Sequence, residues 1–143
     1  MTISTHDLEM TFPNLKQEGY KLTSPFDISY NCIAWSTGAN DLWWWPEGYY
    51  WPDNLSRAVT VEAFVALYNS LGYEECDTDT MEVGYEKIAL YANKNNEPTH
   101  AARQLSTGKW TSKLGRAEDI EHTLNGIVND SYGAVVKIFK RKN

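Results

Sequence analysis

An α+β fold, with helices in the first half and an antiparallel sheet in the second, is what three features of the sequence predict. Apolar residues recur at helical spacing through residues 60–72, where Phe64, Leu67, Tyr68 and Leu71 share a face. They alternate instead in "YEKIALYA", and the C-terminal stretch is rich in β-branched and aromatic residues. Short polar turns rather than crossover helices separate the alternating stretches, which favours antiparallel neighbours and a sheet of about four to five strands. With 143 residues the chain is long enough for one domain with a real core, so residues 1–143 are taken as one unit. Within it, residues 1–29 read as an irregular lead-in and residues 30–141 as the core.

The elements follow in order. Residues 1–29 are polar and interrupted by Pro13 and Pro25, hence the irregular assignment. "NCIAWSTG" forms a short helix that Asn31 or Ser29 can cap and Gly38 can end. Pro46, Gly48 and Pro52 exclude regular structure over residues 41–56, leaving a long aromatic loop. Thr60 is the N-cap of "VEAFVALYNSLG", and Gly72 closes that helix. "YEKIALYA" is a strand that ends at "NKNNEP", and "THAARQL" and "KWTSKLG" make a hairpin through "STG". "AEDIEHTLNGI" has Ile120, Leu124 and Ile127 at helical spacing behind an acidic first turn, which predicts a helix. "YGAVVKIFKR" is a last strand, rich in β-branched and aromatic residues.

Composition excludes several classes of function. A net charge of −6 argues against a nucleic-acid partner, because phosphate binding needs a basic face. The C-terminal cluster of Lys137, Lys140, Arg141 and Lys142 is better explained as the solubilising edge of a strand. No apolar run approaches the roughly 18 residues of a membrane span, so no membrane partner is expected. The N-terminus has neither the basic start nor the apolar stretch of a signal peptide, so cytoplasmic residence is the default expectation, with export by another route left open. Oligomeric state is not encoded in any pattern here. Cys32 and Cys76 are expected as free thiols. The histidines and cysteines lack metal-ligand spacing, and neither Gly-rich nucleotide loop is present, so neither a metal nor a cofactor is expected.

Cys32 is the leading candidate for chemistry. A thiol in the first turn of a helix meets unsatisfied N–H groups, which favour thiolate and can hold an oxyanion. The competing explanation is a small buried hydrophobe, the commonest fate of a free cysteine. Cys76, with no such context, is assigned to structure. Of the histidines, His6 lies in the lead-in and His122 on the expected last helix, both as surface residues. His100 opens a strand between Thr99 and Ala101, where small neighbours leave room for a substrate. Its partner depends on the hairpin. A three-residue "STG" loop pairs Leu105 with Lys109 and puts Ser112 diagonal to His100 on one face. A two-residue turn brings Thr111 or Lys113 there instead. Asp119 and Glu121 are outside candidates.

A cysteine that opens a helix, as in "YNCIAW", followed by a histidine that opens a strand, as in "PTHAARQL", resembles the papain-like thiol hydrolases. The likeness is to their compact bacterial branch of cell-wall peptidases and amidases. The order "YNCIAW … WWWP … EKIALYA … THAARQL … GKWTSKLG … IEH" also resembles a group of bacterial proteins over residues 30–141. The resemblance implies helices packed on an antiparallel sheet, with Cys32 as nucleophile, His100 as its imidazole partner and Ser112 in the place of the orienting residue. It implies attack on an amide carbonyl of a peptide or glycopeptide substrate, with Tyr30 lining the cleft. Trp35, Trp44, Trp45, Tyr50 and Trp51 are then candidates for clamping a peptide or stacking on sugar rings. Two other outcomes stand beside the hydrolase: a binding module that presents the aromatic loop 43–52 to a protein or glycan, and a degenerate papain-like domain without activity.

Overall fold

A computed structural model describes residues 5–24, 31–37, 44–114 and 119–142. The chain runs through α1 (Thr5–Thr11), α2 (Leu15–Glu18), β1 (Tyr20–Ser24), α3 (Cys32–Ser36), α4 (Val61–Ser70), β2 (Glu74–Cys76), β3 (Tyr85–Ala92), β4 (Pro98–Gln104), β5 (Trp110–Lys113), β6 (Asp119–His122), a 3-10 turn (Leu124–Ile127) and β7 (Ala134–Lys142). All strands lie in one antiparallel sheet of seven, ordered β1-β6-β5-β4-β3-β7-β2. Among the described residues, no helix is long and apolar enough to cross a membrane.

The α+β class holds, and its local causes are visible. Thr60 caps α4 by accepting from the Ala63 N–H at 3.1 Å, and Asn31 does the same for α3 through Ala34. The helical stripe of α4 buries Phe64, Leu67 and Tyr68 completely. Full burial of a side chain of that size contributes about 1.5–3 kcal/mol. In the hairpin, the Leu105 N–H reaches the Lys109 carbonyl at 2.7 Å, so "STG" is the three-residue loop, with Gly108 at φ 91°.

Period-two alternation gives the sheet two apolar faces. Ile88, Leu90, Ala92, Ala101 and Phe139 face α3 and α4 in one cluster, with Cys32, Ile33 and Trp51. Ala89, Tyr91, Ala102, Trp110, Leu114 and Ile120 face the other way, against Leu8, Phe12 and Leu15 of the N-terminal segment.

Three expectations need correction. The lead-in is structured over residues 5–24: α1 and α2 cover the second face, and β1 forms an edge of the sheet. The expected helix at "AEDIEHTLNGI" is a strand and a 3-10 turn, with residues 117–118 outside the described part. Ile120, Leu124 and Ile127 have helical spacing, but pairing on both sides overrode it: Thr111 and Lys21 both lie opposite Glu121. The sheet therefore has seven strands rather than four or five, because β1, β2 and β6 join those foreseen. Ser29 and Gly38, named as possible caps, lie outside the described residues.

Candidate functional site

Asn31 joins the start of α3 to the aromatic loop. Its Oδ1 accepts from the N–H groups of Ala34 (3.1 Å) and Trp44 (3.0 Å), and its Nδ2 donates to the Trp44 carbonyl at 2.8 Å. One buried amide thus caps the helix and clamps the loop. Asn31→Ala removes the cap, worth about 1 kcal/mol, and leaves partly buried Trp44 main-chain groups unpaired. A total loss of about 2–3 kcal/mol is expected in urea unfolding followed by tryptophan emission. A loss below about 0.5 kcal/mol would show that water replaces the clamp.

Cys32 follows as the first residue of α3, and it is 8% exposed. Burial pushes its thiol up to about 11, and the backbone N–H groups of Ala101, Ile33 and Cys32 itself oppose this only in part. Desolvation of the buried sulfur outweighs these donors. At neutral pH the sulfur is a thiol, not a thiolate.

His100 is fully buried on β4. Its ring stacks on Tyr132 with centroids 4.3 Å apart and meets Tyr91 edge-on at 5.6 Å. Both tyrosines belong to the second face, whereas Cys32 packs with Ala101 in the first. Neither ring nitrogen of His100 has a hydrogen-bond partner among the described residues, so no Cys32–His100 bond is made. Burial, with a smaller contribution from His122, holds the imidazole well below its ordinary range.

The register does put Ser112 on the face of His100, but its hydroxyl is engaged elsewhere. Ser112 Oγ lies 2.6 Å from His122 Nε2, and His122 Nδ1 lies 2.6 Å from the Thr123 carbonyl oxygen. A carbonyl only accepts, so Nδ1 carries the proton, Nε2 accepts, and Ser112 donates. Burial lowers His122 to about 4, which keeps it neutral. The expectation of a surface histidine at 122 is thus corrected. On a strand, residues 120 and 122 face the same way, and Ile120 points into the core. Strand alternation was the signal that would have found it.

The candidate binding aromatics divide. Trp51 is core, not cleft wall: it is 2% exposed, lies 5.1 Å from Phe64, and donates through Nε1 to the Ser56 carbonyl at 2.9 Å. Half-buried Trp45 meets Phe64 edge-on at 5.4 Å. Trp35 lies under the Arg103 guanidinium at 4.3 Å and contacts Thr111 Oγ1. Trp44 and Tyr50 face each other at 5.1 Å and are bridged through the Trp45 N–H and Tyr50 carbonyl. Arg57 fastens the loop by donating to the carbonyls of Pro46 and Trp51. Tyr49 and Tyr50 remain 49% and 46% exposed. Tyr30 and Trp43 lie outside the described residues. No group of three or more metal-ligating side chains is found among the described residues.

Residues 21–140, which span the helix start, the loop and the whole hairpin, match a family model described as Domain of unknown function (DUF7689). The chain belongs to that family. Neither curated proteins nor solved structures provide a match. For this DUF7689 domain, the site must therefore be judged from its own geometry. That geometry offers a buried thiol, a separate buried His–Ser pair, and an anchored aromatic loop with two exposed tyrosines.

Proposed function

We propose that this domain binds a ligand rather than cleaving one, on a papain-like scaffold whose thiol and imidazole have been separated. Support for the scaffold is the packing of α3 against β4 and β5, the arrangement the resemblance implies. The separation of Cys32 from His100 by the sheet supports the loss of chemistry. A nucleophilic thiol needs a base within hydrogen-bond reach and a thiolate near neutral pH, and Cys32 has neither.

The observation that carries the binding reading is the fastened loop around Trp44 and Tyr50. Arg57 and Asn31 hold the loop's main chain, so covering its rings costs little backbone freedom. A glycan fits this surface best. Sugar C–H faces stack on Tyr49 and Tyr50, and the exposed carboxylates of Glu47 and Asp53 in the same loop accept hydroxyl protons.

Titration with oligomers of N-acetylglucosamine, read by tryptophan emission, is expected to saturate. Tyr50→Ala should weaken binding about tenfold, as loss of a central aromatic contact does, while Cys32→Ala leaves it unchanged. In parallel, Cys32 should resist iodoacetamide at pH 6 until the protein is unfolded. Alkylation faster than that of free cysteine, abolished by His100→Ala, would return the thiol hydrolase to first place. Saturation by plain peptides but not by sugars would replace the glycan with a protein ligand.

A further inference from the structure

The sheet has a gap in one edge. β7 runs for nine residues and pairs along its length with β3, but on its other side β2 covers only residues 138–140. Because β2 is the last strand in the order, residues 134–137 have no strand on that side among the described residues. The chain could have continued β2 along them and does not. Instead, the buried Lys87 ammonium draws the following segment away, donating to the carbonyls of Thr78 (2.9 Å) and Thr80 (2.7 Å) and to Glu82 Oε1 (2.8 Å). The divergence is therefore built in.

Two adjoining depressions mark the opening. One of about 430 Å³ lies between residues 75–77 and residues 135–138, within the line of the missing strand. The other, about 440 Å³, is floored by Leu124, Val128, Val135 and Ile138 and rimmed by Asp77 and Asp79. Val136 is 39% exposed at this edge. The nearby cations are already matched, Lys137 with Glu75 and Lys140 with Glu82. Asp77 and Asp79 are exposed and form no ion pair among the described residues.

We propose that this opening docks an extended basic peptide, which adds a strand beside residues 134–137. Its main chain completes the ladder, alternate apolar side chains fill the floor, and a lysine or arginine reaches Asp77 and Asp79. Charge favours this occupant over a second copy of the chain. An edge-to-edge dimer would bring each acidic rim toward its twin in a protein already at −6.

The test uses the full chain and a fluorescein-labelled heptapeptide of alternating lysine and valine, read by polarisation. Saturable binding is expected. The Asp77→Asn, Asp79→Asn double variant should weaken it about tenfold and flatten its salt dependence. N-methylation of alternate peptide amides should abolish it, and bound peptide should slow alkylation of Cys76 at the mouth of the gap. A glutamate–valine peptide should not bind. Absence of binding, equal affinity of the N-methylated peptide, or indifference to the double variant overturns the proposal. Concentration-dependent dimerisation in sedimentation without peptide binding would assign the edge to a second copy.

Discussion

Gly133→Ala is expected to destabilise the domain by about 3–5 kcal/mol, a large share of the stability of a single domain. A Cβ at this position would stand 1.8 Å from the Ala92 carbonyl oxygen and 2.6 Å from its carbon, with Asn93 Cα at 2.8 Å. These are main-chain atoms at the end of β3 and of the residue after it, so no side chain can swing aside. The backbone at φ 75° adds a further penalty of about 1 kcal/mol for any L side chain. The position matters because the Gly133 N–H closes on the Asn129 carbonyl at 2.8 Å, and this turn delivers Tyr132 onto the His100 ring. Gly84→Ala supplies the control. Gly84 has φ 88° with nothing within 4 Å of its would-be Cβ, so only the conformational cost of about 1 kcal/mol applies. Urea midpoints of the two variants should differ accordingly. If they are equal, β3 and β7 part at this turn without cost.

Acidification is the second large effect. His100 and His122 are both held below their unfolded value near 6.5, chiefly by burial. The unfolded chain therefore binds these protons first. Stability is complete above about pH 6.5 and falls as pH drops toward the folded values, about 4 for His122 and well below the ordinary imidazole range for His100. By pH 5 His122 alone accounts for a loss of about 2 kcal/mol, and His100 adds to it in the same sense. The groups around the pair do not offset this. Tyr91 and Tyr132 are pushed up by burial and stay neutral throughout.

The two histidines separate on substitution. His100→Phe removes two nitrogens that have no partner, so it should hold or raise stability at pH 7.5 and reduce the acid loss. His122→Phe strands the Ser112 hydroxyl and the Thr123 carbonyl and should cost about 1–3 kcal/mol at pH 7.5; at pH 5 about 2 kcal/mol of that cost is offset, because the variant no longer takes up the His122 proton on unfolding. Urea unfolding at pH 7.5 and pH 5 reads both. An unchanged difference between the two pH values in His100→Phe would show that the native ring is already hydrated.

Much of the architecture was legible because its causes are local. Thr60 and its apolar stripe define α4 within one stretch of chain, and Asn31 defines the start of α3 in the same way. The prolines of the lead-in argue for irregular structure, yet Leu8, Phe12 and Leu15 repeat at helical spacing and are buried together. The segment 119–127 was ambiguous in principle. Ile120, Leu124 and Ile127 suit a helix, yet β5 and β1 offered Asp119–His122 two ladders of hydrogen bonds, and a lone helix there could not use them. The aromatic loop was recognised as irregular, but exposure could not be assigned within it. Trp51 and Tyr50 are adjacent and differ only in which of them meets Phe64 of α4.

By itself the sequence determined that Cys32 opens a helix, that the hairpin has turn residues enough for a three-residue loop, and that His100 and Ala101 point to opposite sides of a strand. All three follow from backbone geometry over a few residues. Only the tertiary structure decided which side α3 covers. It covers the side of Ala101, so the imidazole turns toward Tyr91 and Tyr132 while the thiol packs on the other face. That choice rests on contacts between α3 and β4, which are distant in the chain, and on the combined burial of two apolar faces, which no local pattern encodes.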